Sequence, residues 1–126
     1  MDNSTDEKRA SRLRFLAIDE ATGAALRAFW VVVEPELPRM LEGFYRHVAA
    51  LPQVAGMVGQ QVPRLKQAQT AHWRRLFAGR FDDEYFASVR TIGLVHNRIG
   101  LEPRWYIGGY AFVMTDLLAL AVRTTR

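Results

Sequence analysis

Residues 92–110 read IGLVHNRIGLEPRWYIGGY. The left half closes an amphipathic helix. Ile92, Val89 and Tyr85 precede His96 by four, seven and eleven positions, which places the imidazole on the apolar stripe. Gly100 offers a helix stop. Pro103 fits the first turn of a new helix, where its missing N–H would have been unpaired in any case. Trp105 and Tyr106 follow just inside that second helix. A histidine facing an apolar pocket beside a corner with two large aromatics suits a flat, apolar metal cofactor. The same pattern suits a core histidine satisfied by a backbone carbonyl, with aromatics that only pack. Spacing alone leaves both readings open.

Working outward, 126 residues give one domain large enough for a core without covalent staples. The absence of cysteine excludes disulfides, thiolate metal sites and cysteine catalysis. No basic segment followed by an apolar run opens the chain, so a cytoplasmic protein is expected. The net charge of +4 comes from 17 Lys and Arg that are spread out, in clusters no longer than Lys8-Arg9 or Arg74-Arg75. With no basic stripe or base-stacking platform, no nucleic-acid partner is expected.

Residues 1–11 carry both charge signs and read as a flexible, disordered or loosely helical lead-in. Residues 12–18, RLRFLAI, form a short apolar patch able to dock as a partial helix. Asp19 is the N-cap of a helix reaching about Val33. After Pro35 and Pro38 the spacing predicts a helix over 36–51, with Leu37, Met40, Leu41, Phe44, Tyr45 and Val48 recurring at three and four. A buried tyrosine at 45 needs a partner for its hydroxyl, for which a backbone carbonyl suffices. Residues 52–63 connect, with one weak helical turn at 54–58. A helix over 62–77 then carries Val62, Leu65, Gln69, His72 and Leu76 on one face. His72 is a candidate second ligand, with a structural or partly exposed histidine the preferred reading, and His47 has no assigned role. Asp82 caps the helix that leads to His96, and Asp83 and Glu84 complement its dipole. Nothing calls for a strand, so the fold class is all-α. No catalytic grouping or paired-histidine metal spacing is present, and no enzyme activity is expected.

These residues, in this order, resemble the globin domain of bacterial globin-coupled sensors, which are haem-based gas sensors. The resemblance is carried by Arg12 to Leu16 with Ile18-Asp19, Phe44-Tyr45, Arg64 to Gln67, and His72. It continues through Phe77-Ala78-Gly79 with Asp82 to Glu84, His96 with Arg98 to Leu101, and Pro103 with Trp105-Tyr106. The resemblance implies a globin-like haem sensor domain over residues 12–126 that binds haem b through His96. It places Tyr45 on the distal side, its hydroxyl available to bound oxygen or another diatomic gas. Phe44, Leu65 and Ala68 would line the pocket, with Trp105 and Tyr106 packing near the haem on the proximal side. Some members carry a threonine at the position of Ala68, so a second distal hydrogen bond is not expected here. Family members also have a further long helix after the one that starts at Pro103, so the chain is expected to be a globin-like fold lacking the final helix. The implied role is regulation of an output module, such as a chemotaxis transducer or a diguanylate cyclase. The alternative is a haem-free interaction module of the stressosome type.

The last helix is apolar on two sides. One stripe is Tyr106, Tyr110, Val113, Leu117 and Leu120; the other is Ile107, Ala111, Met114, Leu118 and Val122. One stripe suffices for docking on the home domain, so a homodimer through the 103–126 helix is expected. Gly108 and Gly109 weaken a helix interior, which predicts a close approach to the backbone there. A membrane anchor is not expected. Asp116, near the middle of the segment, costs about 2.5–3.5 kcal/mol at a bilayer centre.

Overall fold

A computed structural model describes residues 3–124; Met1, Asp2, Thr125 and Arg126 lie outside the described residues, as do the ends of the lead-in and of the last helix that were read from the sequence. Among the described residues seven α-helices follow one another: α1 Asn3–Phe15, α2 Glu20–Val33, α3 Leu37–Ala49, α4 Pro52–Val58, α5 Val62–Phe77, α6 Asp83–Arg98 and α7 Pro103–Thr124. Short 3-10 turns at Glu34–Glu36 and Gly59–Gln61 lead into α3 and α5. No strand occurs among the described residues. The fold is all-α and globin-like.

Local chemistry sets most boundaries. The Asp19 carboxylate accepts from the Thr22 N–H at 3.0 Å, and the Thr22 hydroxyl accepts in return from the Asp19 N–H, a reciprocal cap at the start of α2. The Asp82 carboxylate does the same for Tyr85 N–H at the start of α6, at 3.0 Å. Proline stands in the first turn of α3, α4 and α5. At the end of α6, Gly100 takes φ +74°, and the Leu101 N–H reaches back to the His96 carbonyl at 2.9 Å. Only glycine adopts that left-handed geometry without cost, so the stop read at Gly100 is a Schellman-type cap.

Of the two forms expected for the lead-in, the helical one is seen from Asn3. Arg9 ties it to α6: its guanidinium pairs with the Asp83 carboxylate and lies 4.9 Å from the Phe86 ring centroid. The apolar patch behind it docks only through Leu13 and Ile18, which are half-buried, while Phe15 is 89% exposed.

The core joins α2, α3, α5 and α7 through Val33, Leu37, Met40, Leu41, Trp73, Phe77, Val113, Leu117 and Leu120. Trp30 stacks on Phe77 at 5.5 Å. Helix α2 meets the turn after α5 at bare backbone: a Cβ on Gly79 would lie 2.5 Å from the Gly23 carbonyl oxygen, and one on Gly23 would lie 2.6 Å from that of Gly79. Helix α6 contributes no buried residue to this core and packs against α5. By length and composition α7 is apolar enough to cross a membrane. Here its Val113, Leu117 and Leu120 enter the core, and Asp116 is half-buried and faces the Arg39 guanidinium at 3.6 Å. The first stripe read on this helix is thus the docking face. On the second, Ile107, Met114 and Leu118 are 61%, 53% and 60% exposed.

Candidate functional site

Because α6 stands outside the core, a gap opens where α5, α6 and the start of α7 meet. The cavity there measures about 330 Å³, at the small end of the range for ligand sites. Val89, Ile92, Gly93, His96 and Asn97 of α6 form one wall, and Pro103, Tyr106 and Tyr110 of α7, with Leu101, form another. His72 closes it from α5.

His96 is half-buried, and its ring lies nearly parallel to that of Tyr106, with centroids 5.1 Å apart and planes 14° apart. The Gly100 turn produces this pairing by folding α7 back along the last turn of α6. Burial pushes the His96 imidazole below its ordinary value, which favours the neutral ring with a nitrogen lone pair to offer. His72 is only 8% exposed, with its Nδ1 buried and unpartnered and its ring stacked on Tyr85 at 6.1 Å. Burial, and then the nearby Arg75 charge, push this imidazole down as well. Trp105 is half-buried under the Arg104 guanidinium, 4.8 Å from its ring centroid, and lies outside the cavity wall.

The other predicted site residues sit on α3 and α5. Tyr45 is half-buried and meets Phe44 edge-on, with centroids 5.0 Å apart at 84°. Burial pushes its phenol up to about 12, so the hydroxyl keeps its proton and remains a donor. Leu65 is half-buried and Ala68 exposed.

The residues fit a haem. A neutral imidazole backed by an aromatic ring in a largely apolar slot is the donor that such a group needs.

A family model described as Protoglobin matches residues 5–126. The chain belongs to the protoglobin family. Its globin domain is of the globin-coupled-sensor kind, similar to the heme-based aerotactic transducer HemAT of Halobacterium salinarum. The two are 33% identical over 112 residues, which is 86% of this chain and 23% of the transducer. The protoglobin chain therefore spans about a quarter of the length of that relative.

Within this protoglobin His96 and Tyr106 both line the cavity. Phe44, Tyr45, Leu65 and Ala68 are not in that cavity's wall. Of the wall residues not named as site residues from the sequence, His72 and Tyr110 carry the most chemistry. His72 was read as structural or partly exposed, yet it is buried and faces the same cavity as His96. Its place on the Val62–Leu65–Gln69 face was the available signal, since a stripe at helical spacing faces either a core or a cavity. Tyr110 was assigned only to the docking stripe of α7, but it also lines the cavity and meets Trp73 edge-on at 6.3 Å.

Proposed function

We propose that this protoglobin binds haem b through His96 and senses oxygen or a related diatomic gas, as the regulatory part of a larger cytoplasmic signalling protein. One observation carries the reading: the His96 ring, stacked on Tyr106, faces a cavity with Val89, Ile92 and Leu101 in its wall. When bound, haem supplies an iron that takes up a diatomic gas reversibly. The protein's own residues do the rest. His96 holds the iron, and Tyr106 fixes the plane of the imidazole. The apolar wall keeps water away, and the protonated Tyr45 hydroxyl donates to the gas. Phe44 and Leu65 line the gas side, and Trp105 stands at the start of α7, outside the cavity wall. The domain is a regulator and not itself a catalyst.

The absorption spectrum of the purified protein, reduced under nitrogen and then exposed to oxygen, tests this. A Soret band that shifts reversibly with oxygen is the expected result. Protein that takes up no haem would instead be the haem-free interaction module.

The signal leaves through α7. Its outward stripe of Ile107, Met114 and Leu118 is apolar and exposed, and a two-fold pairing with a second copy covers it most simply. Light scattering over a concentration series should show a dimer, and Leu118→Glu should shift it to monomer while leaving the haem spectrum intact. A monomer at high micromolar concentration that keeps its haem would overturn this part of the reading.

A further inference from the structure

Among the places where helices α3 and α7 meet, one close contact lies beside the gas-side residues. Gly109 presents bare backbone to the ring of Phe44: a Cβ there would lie 3.2 Å from Phe44 Cε2 and 3.4 Å from Cζ. At the neighbouring Gly108 a Cβ would meet nothing within 4 Å. Both glycines weaken the helix alike, so only position 109 has a contact that requires the missing side chain. Phe44 is held on its other sides too. Tyr45 meets it edge-on at 5.0 Å, and Phe112 lies 6.2 Å away at 57°, itself stacked on His47 at 4.6 Å. Helix α7 touches both halves of the site from a single face. Tyr106, which stacks on His96, and Gly109, which seats Phe44, are three residues apart and so lie one above the other.

We infer that Phe44, seated on Gly109, is a positioning residue for Tyr45: through that ring α7 sets where the Tyr45 hydroxyl stands, and with it the discrimination between gases. The inference rests on the reading of Tyr45 as the donor to the gas. A side chain at 109 pushes the Phe44 ring by a few tenths of an ångström, and Tyr45, packed on its edge, moves with it. Coupling of this kind is reciprocal, so a gas that repositions Tyr45 presses back on α7 through the same contact.

Four variants test it: Gly109→Ala, Gly108→Ala, Phe44→Leu, and Phe44→Leu combined with Gly109→Ala. In the haem-loaded protein Gly109→Ala should change oxygen dissociation by about three-fold or more, a coupling typical of residues in contact. Carbon monoxide dissociation should stay close to wild type. Gly108→Ala should match wild type for both gases, and the double variant should match Phe44→Leu, because no ring remains for the alanine to meet. In the protein without haem, the Tyr45 ring resonances should shift in Gly109→Ala and not in Gly108→Ala. The inference fails if Gly109→Ala tracks Gly108→Ala, if both gases shift equally, or if the effect of Gly109→Ala survives in the Phe44→Leu background. Should Gly109→Ala not fold, Phe44→Leu must by itself change oxygen dissociation and the Tyr45 resonances, or the inference falls. Wild-type protein that takes up no haem defeats the proposed function, while the ring resonances still decide whether α7 positions Tyr45.

Discussion

His96→Ala protein is expected to purify with little or no haem, and to recover a haem spectrum only when imidazole is added. Losing a hydrogen-bonded neighbour of a metal ligand costs roughly 10- to 100-fold in affinity, and losing the ligand itself costs more. The fold should survive. His96 belongs to α6, which has no buried residue, and the Leu101 bond at the end of that helix uses the His96 backbone carbonyl rather than its ring. Truncation leaves a gap of imidazole size next to Tyr106, into which free imidazole fits. The decisive comparison is His72→Ala, because His72 faces the same cavity and carries an unpartnered Nδ1. That variant should keep its haem and a five-coordinate ferrous spectrum. If instead His72→Ala loses the spectrum and His96→Ala keeps it, the ligand has been assigned to the wrong helix.

What could be read from the sequence was whatever depends on neighbours within a turn or two. Asp19, Asp82, Gly100 and the prolines mark their helix ends by local hydrogen bonding and allowed φ, so those boundaries fall within a residue or two of expectation. Helix α1 is the counterexample. Residues 3–11 lack an apolar stripe, and their helix is tied down by Arg9 meeting Asp83 and Phe86 across a separation of more than 70 residues. No local pattern encodes that contact. The two glycines of α7 show the same limit more finely. A close approach was expected at 108 or 109, and it occurs at Gly109 alone, because the rotation of α7 against α3 is set by core packing of Val113 and Leu117. The corner that carries Trp105 and Tyr106 beside His96 was legible from the local signals at Gly100 and Pro103. The membership of His72 in the same cavity was not, since it depends on the spacing between α5 and α6.

Tyr45→Phe should speed oxygen release by about 10-fold or more and leave carbon monoxide release nearly unchanged. A hydrogen bond to a group bearing partial negative charge contributes about 1.5–3 kcal/mol, and that corresponds to about 10- to 100-fold in residence time. Bound oxygen carries such charge and bound carbon monoxide much less, so only the first should respond to loss of the hydroxyl. Phenylalanine keeps the ring that packs edge-on with Phe44, and α3 keeps its buried Leu37, Met40, Leu41 and Val48, so the fold should not change. The pH dependence adds an independent check. Burial raises the Tyr45 phenol to about 12, so the neutral donor form is fully present at neutral pH and is lost only as the pH approaches that value. Oxygen release from the wild-type protein should therefore stay flat between about pH 7 and 10, a range in which an ordinary phenol would already be half-ionised at its upper end. Stopped-flow release of each gas across that range, from wild type and Tyr45→Phe, reads both effects together. If the two gases accelerate equally in the variant, the ring of residue 45 acts by its bulk and the hydroxyl is not the donor.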